Sequence, residues 1–129
     1  YRGFLPREEL LRVYKESSAG IATILNIGQY NTGDNFATKV YEYMSMGLPV
    51  ILSKYKYAKD VLSELKFGLV VNPSDIEEIA NAICFLRNNP NITAEMGANG
   101  RKAVITEFNW EVEVKKLLEL YINILTIDN

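Results

Sequence analysis

Short apolar runs alternate along the chain with longer segments in which apolar residues recur every three or four positions. The runs are rich in β-branched residues and predict buried strands at 20–27, 49–53 and 68–71. The periodic segments predict amphipathic helices over residues 6–17, 36–46, 57–65, 74–89, 93–104 and from 109 onward. Strands that alternate with helices indicate a parallel sheet covered on both faces. The predicted fold class is therefore α/β, as one layered domain.

Several helix ends carry local signals. Gly47 is the expected stop of the helix over 36–46, and Asn109 is the expected start of the last helix. Ser74 and Glu77 have the spacing of a capping box, and Thr93 is the predicted cap of the following helix. The helix that opens after Ser74 is expected to bury five apolar positions: Ile76, Ile79, Ala80, Ile83 and Leu86.

The number of strands is small for an independent sheet of this type. Three strands are clear, and residues 1–4 suggest the end of another. Open doubly wound sheets commonly have about five or more strands. We therefore expect further strands upstream, in a longer polypeptide.

Composition excludes several functional classes. The 129 residues are 48% hydrophobic and 23% charged, with a formal net charge of −2, so no electrostatic feature points to nucleic acid. No apolar run approaches the ~20 residues of a membrane-spanning helix. The chain has no histidine, which excludes a Ser-His-Asp triad within it, and its single cysteine, Cys84, is expected to be inert among core-facing residues.

The polar loop over residues 28–35 joins a predicted strand to a predicted helix, which is where parallel sheets bind ligands. Gly33 permits unusual backbone conformations, and the helix start at 35–38 presents unpaired N–H groups to an anion. A pyrophosphate would fit there, with the hydroxyl of Thr38 and the amine of Lys39 beside it.

Two carboxylates flank this helix start. Glu42 lies about a turn and a half into the helix, and a carboxylate can accept hydrogen bonds from two vicinal hydroxyls of a ribose. Asp34 precedes it by eight positions. The alternative interpretation is a turn with a cap and a solvated surface glutamate, and spacing alone favours that simpler view.

Residues 35–51 (NFATKVYEYMSMGLPVI), with 68–73 (GLVVNP), 96–101 (MGANGR) and 108–110 (FNW), resemble the "glycosyl transferases group 1" family. The resemblance covers nearly the whole chain in the right order. Members are retaining enzymes of the GT-B fold, which has two Rossmann-like domains. The resemblance implies that this chain is a Rossmann-like sheet from the C-terminal half of such a fold.

The resemblance also implies roles for the loop and helix. Glu42 would bind the ribose of a nucleotide-sugar donor, and the helix start would face its diphosphate and sugar. Many members have a glutamate where this chain has Asp34, which is therefore the catalytic candidate although one methylene shorter. The implied substrate-binding residues are Asn35, Phe36, Ala37, Thr38, Lys39 and Glu42.

Residues 1–129 would then form one domain, part of the C-terminal nucleotide-sugar-binding domain. The upstream basic region and the N-terminal acceptor domain are expected outside this sequence, and the fragment alone should not catalyse transfer. The family implies no metal ion and no cofactor besides the nucleoside-diphosphate-sugar donor. It implies a saccharide or lipid-linked acceptor, a cytoplasmic location and peripheral association with the inner membrane face.

Two alternatives stay open at this point. One is a non-catalytic nucleotide-sugar-binding or scaffolding domain, which the aspartate at position 34 and the missing basic residues would suit. The other is a different Rossmann-like protein of receiver or flavodoxin type, although the chain lacks the acidic cluster or flavin phosphate loop of those proteins. Trp110 is expected to anchor the last helix against the sheet.

Overall fold

The computed structural model of the protein describes residues 2–27 and 33–127. Helices and strands alternate through the first two thirds of the chain, and three helices close it. The elements are α1 (Arg7–Glu16), β1 (Gly20–Ala22), α2 (Thr38–Ser45), β2 (Val50–Ser53), α3 (Lys56–Leu65), β3 (Gly68–Val71), α4 (Ile76–Asn88), α5 (Pro90–Thr106) and α6 (Trp110–Ile127).

The three strands form one parallel sheet in the order β1-β2-β3. Gly20 pairs with Val50 at one end of the β1–β2 ladder, and Ser53 pairs with Val71 at the end of the β2–β3 ladder. Every residue of β2 is buried because this central strand has a strand on each side and helices above and below. This burial explains why β2 has no alternation of apolar and polar residues.

Each face of the sheet has its own cluster of buried side chains. One face packs against α2, α3 and the end of α5, and its core consists of Ala22, Phe36, Val40, Met44, Val50, Leu52, Ala58, Leu62, Phe67 and Ala103. The opposite face packs against α4, and its core consists of Ile51, Val71, Ala82 and Leu86. The predicted α/β class, a parallel sheet with helices on both faces, is therefore confirmed.

The first strand is shorter than the sequence predicts. The apolar run over 20–27 forms a strand only at Gly20–Ala22, and Leu25 and Ile27 are exposed. The hydroxyl of Ser53, the last residue of β2, donates to the carbonyl of Ile24 at 2.6 Å. This bond ties the segment that follows β1 to the end of β2. Residues 2–4, the described part of the suggested upstream strand, form no strand.

The start of α4 corrects the predicted capping box. Asp75, not Ser74, is the N-cap, and its carboxylate accepts a hydrogen bond from the N–H of Glu78 at 3.0 Å. Glu78 in turn accepts from the N–H of Asn72. The N-cap therefore lies one residue later than predicted, because Asp75 has the extended backbone conformation that an N-cap requires.

The buried face of α4 is also narrower than predicted. Ala82 and Leu86 are buried, whereas Ile76 is 82% exposed and Ala80 and Ile83 are also exposed. Ile79 is half-buried and packs against the same core, so positions three and four apart, 79, 82 and 86, face the sheet. Cys84 is exposed on the same helix, so its predicted place among core-facing residues is wrong.

The last two helices, α5 and α6, each have a recognisable start signal. Pro90 is in the first turn of α5, so this helix starts before Thr93, whose hydroxyl instead donates to the carbonyl of Leu86. Asn109 caps α6 as predicted, accepting from the N–H of Val112 at 3.0 Å. Trp110 is 66% exposed and does not anchor α6 against the sheet.

Within residues 2–27 and 33–127, no helix combines the length and the apolarity needed to cross a bilayer.

Candidate functional site

The candidate site is built around the start of α2, the helix that follows β1. Because β1 and β2 are parallel, α2 begins on the side of the sheet where both strands end. Ala37 precedes the helix in an extended conformation and supplies no side-chain cap. In the part of the chain that the structure describes, the N–H groups of Thr38 and Lys39 have no hydrogen-bond partner. These N–H groups are therefore available to an anionic ligand.

Phe36 fixes the position of this helix start. Its ring is buried and contacts the rings of Tyr41, Tyr57, Phe67 and Phe108, with the Tyr57 centroid at 4.9 Å. Its N–H donates to the Tyr41 hydroxyl at 3.4 Å. The side chain of Phe36 therefore belongs to the core, and the residue orients the backbone that leads into α2.

Glu42 projects from α2 toward α1. Arg7 Nη1 donates to Glu42 Oε1 at 3.2 Å, and the Tyr14 hydroxyl donates to Glu42 Oε2 at 3.1 Å. The side chain of Glu42 is 29% exposed, so it remains accessible to solvent. Burial raises the pKa of Tyr14 to about 12, and its hydrogen bond to the Glu42 carboxylate acts in the same direction.

Asp34 and Asn35 border a cleft on a different side of α2. This cleft has a volume of about 550 Å³ and is also lined by Tyr41, Tyr57 and Lys116. The Asn35 carbonyl accepts a hydrogen bond from the Tyr55 hydroxyl at 2.9 Å. Asp34 is exposed and has no ion-pair partner among the described residues.

The two predicted carboxylates do not meet. Within the described ranges, no hydrogen bond or ion pair joins Asp34 to Glu42, and Glu42 does not line the cleft that Asp34 borders. The start of α2, with Thr38 and Lys39, lies between them in the chain. Residues 28–32 of the predicted loop are outside the described residues.

The residues that hold Glu42 were missed by the sequence reasoning. Arg7 and Tyr14 lie in a segment for which the sequence pattern predicts only an amphipathic helix. They are seven positions apart, which corresponds to about two helical turns, so they share one face of α1. A search for polar residues at that spacing opposite Glu42 could have found them.

Comparison with known proteins identifies the family. The family "Glycosyl transferases group 1" matches residues 1–103. The chain therefore belongs to this family, and the receiver and flavodoxin alternatives are wrong.

Three proteins illustrate the similarity. The GDP-mannose-dependent monoacylated alpha-(1-6)-phosphatidylinositol monomannoside mannosyltransferase of Corynebacterium glutamicum is 32% identical over 79 residues, 61% of this chain and 20% of that protein. Sucrose-phosphate synthase 4 of Arabidopsis thaliana is 30% identical over 83 residues, 64% of this chain and 8% of that protein. A solved structure of sucrose-phosphate synthase from Thermosynechococcus elongatus matches with a TM-score of 0.79 and 26% identity, covering 97% of this chain and 30% of that chain.

These matches confirm a Rossmann-like domain of the GT-B type. This chain spans less than a third of the length of each of these three relatives.

Proposed function

We propose that the protein contributes the donor site of a retaining glycosyltransferase. The enzyme would transfer a hexosyl group from a nucleoside-diphosphate sugar to an acceptor hydroxyl. The observation that carries the proposal is the accessible Glu42 carboxylate held near a helix start with free N–H groups. Family membership supports it, as does the similarity to a mannosyltransferase described as GDP-mannose-dependent.

The ribose of the donor is assigned to Glu42. A carboxylate has about four lone-pair positions, of which Arg7 and Tyr14 take one on each oxygen. The two remaining positions can accept hydrogen bonds from the two vicinal hydroxyls of a ribose. Charge-assisted bonds of this kind contribute about 1.5–3 kcal/mol each.

The diphosphate is assigned to the start of α2. The N–H groups of Thr38 and Lys39 and the partial positive charge of the helix terminus attract an anion there. The Lys39 side chain is exposed and has no ion-pair partner in the described part of the chain. The leaving diphosphate would thus be stabilised by protein groups, and we expect turnover without a metal ion.

Asp34 is assigned to the transferred sugar. The bond between the anomeric carbon and the diphosphate oxygen breaks, and the acceptor oxygen bonds to that carbon on the same face. The acceptor proton passes to the departing diphosphate. The exposed carboxylate of Asp34 would stabilise the positive charge that develops on the sugar ring.

The acceptor is assigned to a further domain of the polypeptide, since the chain spans only 20% of the mannosyltransferase and 30% of the solved synthase chain. We propose a saccharide or lipid-linked acceptor at the cytoplasmic face of the membrane. Residues 1–129 would then be part of the nucleotide-sugar-binding domain and inactive alone.

Calorimetric titration of the full-length protein with UDP, GDP and ADP tests the donor site. We expect one nucleotide to bind selectively and Glu42→Ala to lose most of that affinity. A wild-type protein that binds none of the three contradicts the proposal. The rival function, a non-catalytic binding or scaffolding domain, predicts binding without sugar transfer, so a turnover assay on the same preparation separates the two.

A further inference from the structure

Helix α1 presents two polar side chains to a single carboxylate. Arg7 and Tyr14 lie about two turns apart on the same face of α1. Each donates to a different oxygen of Glu42, at 3.2 Å and 3.1 Å. A single hydrogen bond would leave the carboxylate free to rotate about its last side-chain bond. Two donors on the two oxygens fix the plane of the group.

Tyr14 is the rigid member of this pair. It is the buried residue of α1, with 9% of its surface exposed, and its ring packs edge-on against Tyr43 with centroids 5.3 Å apart. The ring cannot change rotamer without losing this packing. Its hydroxyl therefore holds Glu42 Oε2 at a fixed place.

Arg7 is the charged member of the pair that holds the Glu42 carboxylate. Its side chain is 72% exposed, and an exposed ion pair contributes little to stability by itself. By donating to Oε1, Arg7 nonetheless fixes the second oxygen of a carboxylate whose other oxygen, Oε2, is held by Tyr14. A pair that adds little to folding but fixes a partly exposed carboxylate is expected where a ligand uses that carboxylate.

We propose that Tyr14 and Arg7 are positioning residues that orient the Glu42 carboxylate toward the ribose of the donor, so that α1 is part of the donor site. This inference rests on the proposed function, because it requires Glu42 to bind the ribose. It adds that discrimination between ribose and 2′-deoxyribose depends on two residues of α1 that need not touch the nucleotide.

The test compares UDP, GDP and ADP with their 2′-deoxy forms by calorimetric titration of the full-length protein. For the nucleotide that binds, we expect the wild type to prefer the ribose form by about tenfold or more. Glu42→Gln should abolish the preference. Tyr14→Phe and Arg7→Gln should each reduce it by about fivefold, through weaker binding of the ribose form alone.

Matched controls separate positioning from general damage. Tyr43→Phe removes the hydroxyl of the tyrosine that packs on Tyr14, and Arg12→Gln removes an exposed arginine elsewhere on α1. Both should keep the wild-type preference. Arg7→Lys retains a positive charge and should restore part of what Arg7→Gln loses. Melting temperatures identify any variant that fails to fold.

The outcomes distinguish the two levels of the proposal. If the wild type binds no nucleotide, both the proposed function and this inference are overturned. If Glu42→Gln loses the ribose preference while Tyr14→Phe and Arg7→Gln keep it, the positioning role alone is overturned. If Tyr14 and Arg7 had a purely structural role, their substitution would weaken the binding of the ribose and deoxyribose forms equally. The ratio of the two affinities would then stay at its wild-type value, and this result also overturns the inference.

Discussion

Gly97 of α5 lies directly against the carbonyl oxygen of Gly47, so that a Cβ atom at Gly97 would collide with that oxygen. Gly47 ends α2 with φ +71°, a conformation that favours glycine. Its carbonyl consequently points at α5. The contact sets the distance between α2, which carries Glu42, and the helix behind it.

The first prediction concerns this contact. Gly97→Ala should destabilise the fold by up to about 2 kcal/mol in urea unfolding. Helix propensity favours alanine by about 1 kcal/mol, but overpacking against a fixed backbone carbonyl costs about 1–3 kcal/mol and should exceed it. Ala98→Ser, at an exposed position of the same helix, is the control and should stay within about 0.5 kcal/mol of the wild type. A more stable Gly97→Ala variant would contradict the observed approach.

The second prediction concerns the segment that follows β1. Ser53 is buried, and its hydroxyl proton can serve only one acceptor, the nearer carbonyl of Ile24 at 2.6 Å. Ser53→Ala should therefore lower the free energy of unfolding by about 1–2 kcal/mol. The matched control is Ser63→Ala, which removes an exposed hydroxyl bonded within α3. Equal stability losses in the two variants would show that the Ser53 bond has no special role.

Local signals in the sequence were sufficient for much of the fold. The glycine at 47 ends a helix, the asparagine at 109 begins one, and the unbroken apolar run of β2 marks a central strand. Each depends on residues close together in the chain. The bond between Ser53 and Ile24 could not be predicted in this way, because the two residues are 29 positions apart.

The candidate site, like the fold, was predictable only where its residues are close together in the chain. Glu42 and the start of α2 were predicted from a short contiguous block. The partners of Glu42 lie 28 and 35 positions away, and only the packing of α1 on α2 brings them together. The exposure of Ile76 and Ile83 was not predicted. A helical period shows which residues share one face of a helix, but it does not show how wide a surface packs against that face.

The third prediction distinguishes the roles of Asp34 and Glu42 in the full-length enzyme. Asp34→Asn should lower kcat by about a hundredfold with a small change in donor KM, because its charge acts on the developing sugar cation. Glu42→Gln should instead raise donor KM about tenfold, because it binds the ribose in the ground state as well. Steady-state kinetics with the donor identified by titration would measure both.

The control for this comparison is Asp60→Asn, an exposed carboxylate on α3 that pairs with Lys56 at 2.7 Å. It should leave both constants unchanged, since an exposed pair contributes little. A wild-type kcat in Asp34→Asn would remove the catalytic assignment of Asp34 while leaving the donor site intact.

The fourth prediction concerns alkaline pH. Burial raises the pKa of Tyr14 and of Tyr55 to about 12 from the ordinary 10; other neighbouring groups add to the shift, and the charge of Arg7 opposes it at Tyr14. The unfolded chain releases these protons first, so their contribution to stability is complete below pH 10 and is lost as the pH rises from 10 toward 12. The free energy of unfolding should therefore fall steeply across this window.

Tyr14→Phe should make that fall shallower, because one of the late-titrating hydroxyls is removed while the ring packing on Tyr43 stays. Urea unfolding at a series of alkaline pH values, followed together with tyrosinate absorbance, measures the effect. Tyr121→Phe, which removes an exposed hydroxyl on α6, should keep the slope of the wild type. An identical slope in Tyr14→Phe would mean that the hydroxyl is not buried against Glu42, and the orientation proposed for that carboxylate would lose its rigid donor.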